Sequence, residues 1–301
     1  MCWILCRCAL DSCAFEGEDA LYCCLAFAIS LSAYVHERTH PEANKSLKSS
    51  PLTAAPVQEI HPHYDKAPIL EALIDFRVSS GAPTPLDPLG QLDLRTVGEY
   101  PTRDSINEQQ VAFVGGAQPA VSSRDVGYRY TSADKKRVLQ VQSHGFTFSR
   151  LPPYESWAPF CEEARKLWRL YISVRKPELV TRIAVRYINR LELPLPIDDF
   201  TAYLRNVPDV SPDLPQGLSG FVLQLKIPQP DLPDGMLILN QGLLDSADPR
   251  VAAVLLDVDL FHATQFKPDS DAMWDALEVL HRRKNDVFEA SITDKTRELI
   301  R

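Results

Sequence analysis

The chain has 301 residues, 45% of them apolar and 24% charged, which is the mix of an ordinary globular protein long enough to bury a substantial core. Its formal net charge of -8 and pI near 5.4 exclude a general attraction to phosphate backbones. Neither nucleic acid nor an anionic membrane surface is therefore indicated as a partner.

The first stretch differs from the rest. Cys2, Cys6, Cys8, Cys13, Cys23 and Cys24 crowd into 24 residues, and only Cys161 lies beyond them. The body thus has no disulfide framework, as expected of a protein kept in the reducing cytoplasm. The early cysteines lack paired C-x-x-C spacing and no histidine follows before His36, so neither a metal nor another cofactor is expected there. The apolar run at 20–35 is shorter than the ~20 residues of a transmembrane helix. Asp11, Glu16, Glu18 and Asp19 precede it, against the positive flank of a signal peptide. Residues 36–66 are polar, proline-containing and aperiodic, and His61 and His63 read as solvated. Residues 1–63 therefore read as an N-terminal extension and linker outside the fold, the composition that an upstream start codon would produce.

From residue 67 the periodicity is mostly that of strands. In "PILEALIDFRV" (68–78), Leu70, Ala72, Ile74, Phe76 and Val78 alternate with Ile69, Glu71, Leu73, Asp75 and Arg77. Residues 80–120 are rich in proline and glycine and read as a long loop with one short helix. "VGYRYTSADKKRVLQVQ" reads as a hairpin turning at Ala133–Lys136, and Gly145 as a bulge or tight bend before "FTFSRL". "YESWAPFCEEARKLWRLYISV" is predicted helical, with Ser156 at its N-cap and Pro177 as its stop. The grammar then repeats: a long strand at 179–194, a short helix at "IDDFTAYLR", strands at "GFVLQLKIP", "GMLILNQGLL" and "VAAVLLDVDLF", and a closing helix. That helix sets Met273, Leu277, Leu280, Lys284, Val287 and Phe288 at helical spacing and breaks near Ser291–Asp294. The expected fold is α+β: one domain at 64–301, with an antiparallel sheet covered on one face by amphipathic helices and two similar halves at 64–177 and 178–301.

The candidate site is a polar sheet face. In the strand at 179–194, Arg182, Arg186 and Arg190 share one face, while Ile183, Val185, Tyr187, Leu191 and Leu193 form the other, interrupted by Asn189. Asp257 and Asp259 share a face of their strand, as do Glu71 and Asp75 of theirs, so acids and bases can pair if the strands are neighbours. Exposed, these would be solvated charge ladders. Enclosed, the carboxylates could take a divalent cation and the arginines a phosphate or carboxylate. Asn189 and Asn240 stand where alternation expects apolar residues and are candidate buried polar groups whose hydrogen bonds must be met. No histidine, serine or phosphate-loop motif marks a catalytic residue.

The blocks "YDKAPILEALIDFRV", "KKRVLQVQSHGFTFSRLPPYESW", "RIAVRYINRLELP" and "NDVFEASITDKTREL" occur in that order over residues 64–301. They resemble the signature blocks of a sporadically distributed, uncharacterised prokaryotic protein family. The resemblance implies no activity and transfers no catalytic residue. The expectation is a soluble ligand-binding or protein-interaction module, its partner a protein or small molecule; the alternative is a metal-dependent phosphohydrolase or nuclease using the strand-borne carboxylates.

Overall fold

The structure is a computed structural model that describes residues 62–80, 86–90, 92, 99–112 and 120–301. All of them belong to one compact unit, Glu59–Arg301. The readings made for residues 1–61 lie outside the described residues.

The fold is α+β, built on one antiparallel sheet of nine strands. These are β1 (Ile69–Ser79), β2 (Thr102–Ala112), β3 (Ala120–Thr131), β4 (Arg137–Gln142), β5 (Gly145–Arg150), β6 (Leu179–Pro194), β7 (Val222–Pro228), β8 (Gly235–Leu244) and β9 (Val251–His262). Their order is β2-β3-β4-β5-β1-β6-β9-β8-β7. The same path is followed twice. β1 pairs with β5, the last strand of its meander, and helix α1 (Trp157–Arg175) follows; β6 pairs with β9, and helix α2 (Asp271–Ser291) follows. β1 and β6 pair with each other at the centre, so the two runs make one continuous sheet. A short helix α3 (Asp294–Ile300) ends the chain.

Alternation explains the core. Ala72, Ile74, Phe76 and Val78 of β1 and Ile183, Val185 and Tyr187 of β6 point to one side and are buried. The ring of Phe76 lies 4.9 Å from Trp168 of α1 and 5.5 Å from Trp274 of α2, edge to face in both cases. Helices from both halves therefore meet on one side chain. Each such fully enclosed ring contributes about 1.5–3 kcal/mol of burial. The first described segment is tied down too: Lys66 N–H donates to the Ile300 carbonyl at 3.0 Å, and Tyr64 lies edge to face against Phe288.

Three local expectations are corrected. The long loop at 80–120 contains a helical turn at Asp87–Gly90 but also the whole of β2, whose residues 102–105 are exposed. An outer strand is held by its backbone ladder to β3 and needs no apolar alternation to mark it. Of the two readings at Gly145, the tight bend holds and the bulge does not: Ser143 and His144 form a two-residue turn between β4 and β5, with Gln142 opposite Gly145. "IDDFTAYLR" forms only a single 3-10 turn, Phe200–Ala202, started by the Asp199 carboxylate accepting from Thr201 N–H. No helix among the described residues is long and apolar enough to cross a membrane.

Candidate functional site

The two faces of the β1–β6 seam carry different chemistry. On the face away from Phe76, the register sets Asp75 opposite Ala184, Leu73 opposite Arg186 and Glu71 opposite Ile188; β9 adds Asp259 beside Arg186 and Asp257 beside Ile188. This places the predicted charged residues other than Arg190 close together. Arg186 donates through Nε and Nη2 to both oxygens of Asp257, at 2.8 and 2.7 Å, with both side chains buried. Asp257 Oδ2 also accepts from Asn240 Nδ2 at 2.8 Å, and Asn240 Oδ1 accepts from Gln224 of β7 at 2.7 Å. A few residues along, Arg182 Nη1 bonds Asp75 at 2.7 Å, stacks its guanidinium over Phe261 and lies 3.5 Å from Asp259. Thr147 of β5 donates to the other oxygen of Asp75.

Electrostatics follow from this crowding. Burial opposes the charge of Arg186, but Asp257 more than offsets it, so the guanidinium titrates above its ordinary range. Burial raises the carboxyls of Glu71 and Asp259, partly offset by the neighbouring arginines. Arg190 does not join the cluster; its contacts, both at 3.5 Å, are with Glu192 and the Asp245 carbonyl. Among the described residues, no group of three or more His, Cys, Asp or Glu side chains is arranged to hold a metal ion.

The two asparagines separate. Asn189 is buried on the core face and satisfied by backbone, donating to the carbonyls of Leu256 at 3.0 Å and Tyr187 at 3.3 Å. Asn240 is corrected: it is half-buried and lies on the charged face, and the buried amide of β8 is Gln241, which donates to the Asn206 carbonyl. The charged face continues into β8, so a polar residue was in register where an apolar one was expected.

The core side of the same seam holds a feature that sequence reasoning passed over. A cavity of about 670 Å³ opens between β6, α2, the segment Pro62–Ile69 and the turn Pro152–Trp157. Tyr187 and Asn189 of β6 and His281, Lys284 and Asn285 of α2 line it. Lys284 is 7% exposed, and its ammonium nitrogen sits 3.5 Å from the centre of the Tyr187 ring. It forms no ion pair or hydrogen bond among the described residues, and burial lowers its amine to about 7. The Tyr187 hydroxyl lies 2.6 Å from that of Tyr154, and burial keeps both phenols protonated far above neutral pH. Trp157 stacks flat on His281, ring centres 4.1 Å apart, at the cavity wall.

The signal for this site was in the helix pattern. Lys284 falls four residues after Leu280 and seven after Leu277, on the stripe that packs inward, where a lysine is out of character. Strand alternation places Tyr187 on the apolar face of β6. The Tyr154 contact joins residues 33 apart and leaves no local trace. No protein-family model matches the chain, and no curated protein matches it.

Proposed function

We propose that this chain is a binding module for a small organic molecule, taken up in the cavity between β6 and α2, with α1 and α2 closing that face of the sheet. The observation that carries this reading is Lys284, a buried amine on the cavity wall that forms no ion pair among the described residues. Burying such a group costs stability, which its contact with the Tyr187 ring offsets only in part. A cavity of about 670 Å³, walled by Tyr187, Trp157 and Phe288 with a few polar groups among them, has the size and lining of a small-molecule site. The carboxylates that a metal-dependent phosphohydrolase or nuclease would use are already engaged: Asp257 by Arg186, and Asp75 and Asp259 by Arg182. That favours binding over metal-assisted hydrolysis. The scarcity of cysteine after residue 24 supports a cytoplasmic setting.

The test is a thermal-shift screen of the full chain with small aromatic carboxylates, aldehydes and alcohols, nucleotides and divalent cations. A stabilising organic compound should lose its effect in Asn285→Trp, which fills the cavity from α2. Stabilisation by a divalent cation instead, abolished by Asp257→Asn, would overturn the proposal in favour of the hydrolase.

A further inference from the structure

We propose that Lys284 is a carbonyl-reactive amine, which condenses with the aldehyde or ketone of a ligand in the cavity to form an imine while the Tyr154 and Tyr187 hydroxyls serve the carbonyl oxygen. This rests on the cavity being a small-molecule site and adds the chemical class of its ligand.

Three observations converge on it. Lys284 faces the cavity nine-tenths buried, with neither an ion pair nor a hydrogen bond among the described residues to hold its proton. A lysine desolvated in an apolar pocket is the usual form of an amine nucleophile, because burial disfavours the ammonium and leaves the nitrogen lone pair available. The amine at about 7 is in that condition at neutral pH. Finally, Tyr154 and Tyr187 both line the cavity and share one hydrogen bond. Two phenols carry two protons and that bond uses one, so the accepting hydroxyl retains an O–H to donate.

The step balances without an outside reagent. The neutral Lys284 nitrogen attacks the carbonyl carbon and a C–N bond forms, while one amine proton passes to the carbonyl oxygen to give a carbinolamine, the second amine proton following when that oxygen leaves. The C–O bond then breaks, the oxygen leaves as water, and a C=N bond remains. One amine and one carbonyl give one imine and one water, with no change in oxidation state. The phenol hydrogen bond stabilises the oxygen as negative charge develops on it. Asp65, Glu155 and Glu289 also line the cavity, which suits an uncharged carbonyl better than a carboxylate ligand.

The full-length protein is treated at pH 7 with benzaldehyde and sodium cyanoborohydride, and the modified lysines are mapped by peptide mass spectrometry. At that pH the neutral fraction of an amine at about 7 is about a thousandfold that of an ordinary lysine, so Lys284 should be benzylated at least about tenfold faster than any other lysine. Tyr154→Phe should slow this labelling on the order of tenfold, the melting temperature serving as the check of folding. Labelling spread over surface lysines with Lys284 unmodified overturns the proposal. If benzyl alcohol stabilises the protein, and loses that effect in Asn285→Trp, while Lys284 stays unlabelled, the cavity is a ligand site and only the imine falls. If neither compound engages the cavity, both readings fall.

Discussion

Arg186 and Lys284 are both basic, both buried, and lie on opposite sides of one sheet, yet their surroundings predict opposite responses to removal. Arg186 is held by two charge-assisted hydrogen bonds to Asp257. Truncating it leaves a carboxylate enclosed without its counter-ion, so Arg186→Ala should cost about 3–5 kcal/mol in guanidinium denaturation. Arg190→Ala, at the margin of the cluster, should cost less than about 1 kcal/mol. Equal losses at the two positions would mean that the buried pair has no special weight. Among the described residues Lys284 has no such partner, and its amine falls from 10.5 to about 7 on folding. Between those values the unfolded chain holds a proton that the folded chain has released, so the lysine's burden on stability is full below pH 7 and fades as pH rises toward 10.5. Lys284→Met should therefore stabilise the protein at pH 6.5, by up to about 5 kcal/mol on the shift alone, less the cation–π contact with Tyr187. The gain should shrink steadily in melts run toward pH 10. A gain that does not change with pH would show that the amine is charged throughout.

Among the elements, α2 shows how one amphipathic stripe serves two purposes. Met273, Leu277 and Leu280 are completely enclosed, whereas Phe288, two turns further on, is half-buried beside the cavity and meets Tyr64 edge to face at 6.3 Å. Leu277→Ala should accordingly cost about 2–5 kcal/mol, the range for a leucine cavity in a packed core. Phe288→Ala should cost less, about 1–2 kcal/mol, because its ring already borders open space. Chemical denaturation of the two variants gives the order directly, and a larger loss at Phe288 would mean that the segment around Tyr64 closes over it more tightly than the structure shows. The outer strands follow a different rule. β7 exposes Val222 and Ile227 and ends in Pro228, which cannot donate to a further strand.

For the molecule as a whole, the repeated strand path raises the question of whether each half is a folding unit. The packing argues that it is not. Phe76 of the first half contacts Trp274 of the second, β1 and β6 form the central pair, and Lys66 bonds Ile300 near the far end of the chain. Splitting the chain after Pro177 would expose a central strand edge and half of an aromatic cluster on each piece. Residues 64–177 and 178–301 produced separately should therefore be insoluble or molten, and the intact protein should unfold in one transition seen alike by tryptophan fluorescence and far-ultraviolet circular dichroism. Two separated transitions would show independent halves. The compact unit begins at Glu59, so a chain starting there should melt at the temperature of the full-length protein.

What the sequence by itself determined was whatever one strand or helix records in its own period. The long strand at 179–194, the helix at 157–175 and the arginine row are legible because alternation by two and by 3.6 is written locally. β2 was not legible, since a polar outer strand is specified by the backbone of its neighbour. Which carboxylate each arginine takes was open as well: β6 lies between β1 and β9, so Arg186 has acids on both sides, and only the tertiary structure shows Asp75 taken by Arg182 and Asp257 by Arg186. The cavity belongs wholly to the tertiary structure. Lys284 was visible as a lysine on an apolar stripe, but only the approach of β6, α2 and the Pro152–Trp157 turn gives it an aromatic ring at 3.5 Å and a cavity to face. Local pattern says which side of an element turns inward, and the distances between elements remote in sequence decide what chemistry it finds there.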